Sequence, residues 1–83
     1  RRLHSGLDIG GGYGAPIYAV TDGTVTYAGR NGGYGNYVRI NHGGGLGSGY
    51  GHMSRIAVSG GQRVSRGQLI GYIGSTGLST GPH

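Results

Sequence analysis

Asn36-Tyr37-Val38-Arg39-Ile40-Asn41-His42 is the stretch on which the fold turns. Its residues alternate, with Tyr37, Arg39 and Asn41 on one side and Val38, Ile40 and His42 on the other. A period of two marks a strand with one buried face. His42 shares that face with Val38 and Ile40, so it reads as a structural histidine at a strand end before it reads as a ligand.

Working downstream, residues 43–49 (Gly-Gly-Gly-Leu-Gly-Ser-Gly) read as a loose glycine-rich loop, and Tyr50-Gly51-His52-Met53-Ser54 as the next strand, with Tyr50, His52 and Ser54 on one face. From Val58 onward Gly-Gln occurs at 61–62 and again at 67–68, each pair followed two residues later by an aliphatic, Val64 and Ile70. That rhythm predicts tight turns that each feed a buried position. Upstream, residues 29–35 form a turn region. Pro16 opens a strand over 16–20, where its missing N–H is tolerated, and residues 24–28 form a returning strand. The Asp22-Gly23 pair between them signals a hairpin over 16–28, with Asp22 as a turn-former. Residues 9–15 are a glycine-heavy connector. The expectation is a single all-β domain of many short strands and tight turns.

Composition narrows the chemistry. The chain has 83 residues, 23 of them glycine, and no cysteine, so disulfides, thiolate zinc sites and cysteine nucleophiles are excluded. Every cation among the seven basic residues is arginine, which removes Schiff-base, P-loop and lipoyl or biotinyl lysine chemistry. Both carboxylates are aspartates, so the His-Glu-x-x-His arrangement cannot be built. Acid–base work near neutral pH therefore falls to the four histidines. The net charge of +5 comes from arginines scattered along the chain, which predicts a solvated basic surface suited to a polyanion, with no specific nucleic-acid site. No apolar run approaches the roughly 18 residues of a membrane span.

His4-Ser5-Gly6-Leu7-Asp8 pairs an imidazole with one of the two carboxylates. Both are ligand types that zinc accepts. On an ideal strand their Cα atoms would stand roughly 13 Å apart, so the backbone has to bend for them to share an ion, and Gly6 lies where that bend is needed. At the other end, Ser79-Thr80-Gly81-Pro82-His83 runs into a histidine.

Taken together, His4-Ser5-Gly6-Leu7-Asp8-Ile9, Pro16-Ile17-Tyr18-Ala19, Asp22-Gly23-Thr24-Val25, Gly35-Asn36-Tyr37-Val38, Tyr50-Gly51-His52-Met53-Ser54, the Gly-Gln rhythm and Ser79-Thr80-Gly81-Pro82-His83 resemble, in order and spacing, the lysostaphin-type zinc metalloendopeptidases of bacterial peptidoglycan. The resemblance implies a small antiparallel β-sheet domain of the duplicated hybrid motif type, with long loops forming a groove. It implies His4 and Asp8 as zinc ligands, His52 and His83 as catalytic residues, and peptidoglycan cross-bridge or stem peptides as substrate. The corresponding location is secreted, periplasmic or envelope-associated in bacteria, or phage-derived. The family's last motif continues past its first histidine to a third ligand, whereas this sequence stops at His83. The expectation is therefore a domain incomplete at both ends, which by itself binds zinc weakly and turns over little.

Three rival readings stand beside this one. A degenerate homologue would bind cell wall or a protein partner in the same groove. A phosphocarrier of related β architecture would use a histidine, but leaves Tyr-Gly-His and Gly-Pro-His without a purpose. A serine hydrolase could be written from Ser54, His52 and Asp8, but no nucleophile elbow surrounds Ser54.

Overall fold

The computed structural model describes residues 12–74 and, as backbone, 79–82. Seven strands form one sheet: β1 (Pro16–Tyr18), β2 (Gly23–Arg30), β3 (Asn36–Gly43), β4 (Leu46–Ile56), β5 (Arg63–Val64), β6 (Leu69–Ile73) and β7 (Ser79–Pro82). The order across the sheet is β1-β6-β4-β3-β2-β5, with β7 also paired to β4, and every pairing is antiparallel. The only helical element among the described residues is a 3-10 turn at Gly32–Tyr34 between β2 and β3. The all-β expectation holds.

The alternation that predicts β3 sets the core. Val38 and Ile40 are fully buried and meet Ile17, Val25, Tyr50 and Ile70 beneath the sheet, while Arg39 and Asn41 face out. The Gly-Gln rhythm does what its spacing predicts. Gly61 and Gly67 take φ of +88° and +84°, and the following Gln side chains accept from the N–H of Ser59 (3.1 Å) and Ser65 (3.0 Å). Each turn then delivers a buried aliphatic, Val64 and Ile70.

Three expectations are corrected. Residues 16–28 do not form a hairpin: β1 pairs with β6, Pro16 opposite Tyr72 and Ile17 opposite Gly71, while β2 pairs with β3 and β5. Ala19 donates to Gln68 O (2.9 Å) and accepts from Gly67 N (2.8 Å), so the chain after β1 is tied to the 65–68 turn. The Asp22 carboxylate completes that tie by accepting the Arg66 N–H at 2.8 Å. Asp22 thus serves a contact 44 residues away in place of a local two-residue turn.

Residues 43–49 are not a loose loop. The reversal is confined to Gly43, Gly44 and Gly45, all at positive φ (91°, 61° and 80°), a run that only glycine adopts without penalty. β4 begins directly afterward at Leu46. Finally, Tyr50, His52 and Ser54 do not share a face. Val38 is opposite Tyr50 and Asn36 opposite Met53, so two steps on β3 match three on β4. The extra residue is a β-bulge that turns Met53, in place of His52, into the core.

Candidate active site

The bulge is centred on His52, the one non-glycine residue at positive φ (+57°) among the described residues. An L-residue held there costs roughly 1–2 kcal/mol, so the surroundings have to enforce it. Asn36 does so from β3: its Nδ2 donates to the Met53 carbonyl at 2.9 Å. Gly74 does so from the end of β6, because a Cβ at that position would collide with the His52 carbonyl. The backbone can curl at His52 only because residue 74 has no side chain.

His52 is half-buried and lines an open hollow of about 270 Å³ together with Tyr13, Arg30, Gly35, Asn36, Met53, Ser54 and Gly74. Among the described residues its imidazole has no hydrogen-bonding partner. A half-buried ring with neither nitrogen bonded to another described residue, on a backbone held in a costly conformation, is equipped to exchange a proton with something that enters the hollow. Arg30 reaches the same hollow through the sheet register, since Arg30 is opposite Asn36 and Asn36 is opposite Met53. Beside the bulge, Tyr34 stacks on Tyr37 with centroids 4.9 Å apart, and a Cβ on Gly51 would come within 3.2 Å of the Tyr34 ring. Burial raises the Tyr37 phenol above its ordinary 10.0, against the pull of Arg39 in the other direction, and nearby Tyr34 adds to the rise.

His42 is placed differently. Its Nδ1 lies 2.9 Å from the Asp22 carbonyl and its Nε2 2.8 Å from Ser48 Oγ. A carbonyl can only accept, so Nδ1 carries a hydrogen and donates it to Asp22, while Nε2 is engaged by the Ser48 hydroxyl. Ser48 Oγ is in turn 3.2 Å from the buried Tyr50 hydroxyl. Burial pushes the Tyr50 phenol up, opposed by its bonds to Ser48 and the Val20 backbone. With both nitrogens spent, His42 is the structural histidine that its strand position predicts.

Of the residues singled out for chemistry, His4, Asp8 and His83 lie outside the described residues, and His52 lies within them. Among the described residues no three histidine or acidic side chains come together as a metal site. Arg30 and Asn36 were not legible as partners of His52, because their approach depends on the register of three strands and no local motif announces it.

The fold of this single antiparallel sheet is shared with solved peptidases. The model of Peptidase family M23 matches residues 2–83, and the chain belongs to that family. Over 82 residues it is 48% identical to the DD-carboxypeptidase/endopeptidase Mpg of Neisseria meningitidis, a match covering 99% of this chain and 19% of that protein. The chain thus spans about a fifth of the length of such curated relatives. Among solved structures, a zinc containing peptidase from Vibrio cholerae aligns with a TM-score of 0.75 and 36% identity, over 88% of this chain and 23% of that one. The antimicrobial peptidase lysostaphin from Staphylococcus simulans aligns with a TM-score of 0.74 and 34% identity, over 88% and 32%.

Proposed function

We propose that this chain is the catalytic portion of a zinc-dependent peptidase that hydrolyses peptide bonds in peptidoglycan, at the bacterial envelope or outside it. The observation that carries the reading is His52, whose imidazole has no hydrogen-bonding partner among the described residues and sits on an enforced bulge beside an open hollow. The donors that the sequence offers, imidazole nitrogen and carboxylate oxygen with no thiolate, are those a catalytic zinc takes. His4 and Asp8 would hold the ion. When bound, zinc supplies Lewis acidity and lowers the pKa of water from 15.7 toward about 7.

The protein's own groups then divide the remaining work. One of His52 and His83 accepts the proton of the attacking water. The other donates a hydrogen bond to the developing oxyanion or a proton to the departing amine. Asn36 and Gly74 keep His52 where either role needs it. The arginine-rich surface favours approach to an anionic wall polymer.

Two substitutions in the full-length protein separate holding the metal from moving the proton. His4→Ala is expected to lose zinc and activity together. His52→Ala is expected to retain zinc while turnover falls about 10²-fold or more. Elemental analysis alongside a peptidoglycan-peptide cleavage assay reads both, and an active, metal-free His4→Ala protein would overturn the scheme.

A further inference from the structure

A second hollow lies on the outer face of the sheet, toward the Gly43–Gly45 turn and away from His52, and the mechanism above does not use it. It is an open trough of about 480 Å³ walled by Thr26, Tyr27, Arg39, Asn41 and Leu46. The trough exists because Arg39 and Asn41 are opposite Gly49 and Gly47, so β4 places no side chain beside them. Tyr27 is opposite Arg39 on β2 and 40% exposed. Its ring is held in place, because its hydroxyl donates to the Arg30 carbonyl and the Tyr37 ring lies against it with centroids 6.2 Å apart. The polar side chains of the trough offer donors. Arg39 is exposed and makes no ion pair among the described residues, where the only carboxylate, Asp22, accepts the Arg66 N–H. Asn41 Oδ1 accepts the Gly43 N–H at 2.9 Å, which leaves the amide hydrogens of Asn41 for a ligand.

Resting on the peptidoglycan reading, we infer that this trough is a glycan subsite: it seats a carboxylate-bearing amino-sugar strand of the wall, with one pyranose on Tyr27 and a sugar carboxylate on Arg39. Each feature of the trough selects one part of that ligand. The face of a fixed phenol ring is electron-rich and attracts the C–H face of a sugar ring, a surface that a peptide backbone does not offer. The guanidinium fork matches a carboxylate, and the Asn41 amide donor matches an acetamido carbonyl. The lining holds no acidic side chain to repel an anion. Gly47 in the trough precedes His52 by five residues on β4, roughly 17 Å of strand. About five extended peptide residues cover that distance, so a strand can rest in the trough while a peptide carried by a neighbouring sugar enters the His52 hollow.

The test uses the full-length protein and three peptide-free or sugar-free probes: a tetrasaccharide of alternating N-acetylglucosamine and N-acetylmuramic acid, chitotetraose, which has similar rings without carboxylates, and polyglutamate, which has carboxylates without sugar. Isothermal titration reads affinity, and chemical-shift changes at Tyr27, Asn41 and Leu46 read the place of binding. The wild type is expected to bind the acidic tetrasaccharide about tenfold more tightly than chitotetraose, as a charge-assisted hydrogen bond allows. Arg39→Gln should abolish that preference and Arg39→Lys restore part of it. Tyr27→Leu should weaken both sugars about fivefold, while Tyr27→Phe, which keeps the ring, retains them. The inference is overturned if the wild type shows no preference between the two sugars, if the preference survives Arg39→Gln, if polyglutamate binds as tightly as the acidic tetrasaccharide, or if the shifts fall outside the trough. Sugar binding that depends on Arg39 and Tyr27 in a protein that cleaves no wall peptide sinks the peptidase reading and leaves the glycan subsite standing. Cleavage of wall peptides without such sugar binding sinks this inference alone.

Discussion

At the scale of the residue, His52 carries two properties that substitution can separate: an imidazole and a backbone at φ +57°. His52→Ala removes the ring and keeps the strain, because alanine pays the same penalty in that region. His52→Gly removes both. Both variants are expected to lose turnover, with His52→Gly more stable than His52→Ala by about 1 kcal/mol, measured by denaturant unfolding. Equal stabilities would mean that the bulge relaxes once the ring is gone. A catalytic role for this residue is what the resemblance at Tyr50-Gly51-His52 implies, whereas its backbone strain has no signal in the sequence. A pattern of alternation assumes a regular strand, and the extra residue in β4 exists only against the register of β3.

At the scale of the element, β4 is bent to shape by glycines on its neighbour. A Cβ on Gly74 would meet the His52 carbonyl, and one on Gly71 would meet the Met53 side chain and the Arg55 carbonyl. Gly74→Ala is therefore expected to displace the bulge and cost about 1–3 kcal/mol, in the range of other overpacking changes. It should also depress turnover although residue 74 bears no reacting group. Chemical-shift changes concentrated at residues 51–54 would show the displacement, and an unchanged spectrum with full activity would refute the role given to Gly74. The pairing of elements was only half legible. The Gly-Gln turns over 59–64 and 65–70 are local, each closed by bonds three residues apart, and the sequence shows them plainly. The Asp22-Gly23 turn looked equally local but serves Arg66, because β1 has three residues and finds its partner in β6.

At the scale of the whole molecule, the polar chain from Asp22 through His42 and Ser48 to Tyr50 links the residue just before β2 to β3 and β4. Tyr50 is 2% exposed, and burial raises its phenol above the ordinary 10.0. Below pH 10 the hydroxyl is protonated in both folded and unfolded chains, so its contribution is fully present. As pH climbs from about 10 through the higher folded value, the unfolded chain releases its proton first and stability falls. Denaturation midpoints at about pH 9 and about pH 11 should show a smaller drop in Tyr50→Phe than in the wild type, with a cost near 1 kcal/mol at neutral pH for the lost hydrogen bonds. An identical drop in the two proteins would place the alkaline loss elsewhere. By itself the sequence determined an all-β chain, the buried face of β3, the Gly-Gln turns, the excluded chemistries and the histidines worth testing, because periodicity, turn chemistry and composition act over a few residues. The tertiary structure alone decided that β1 joins β6, that β4 bulges at His52, and that Arg30 and Asn36 stand beside that ring. Each of those facts is a matter of register between strands distant in the chain, and register is settled by what the assembled core will accept.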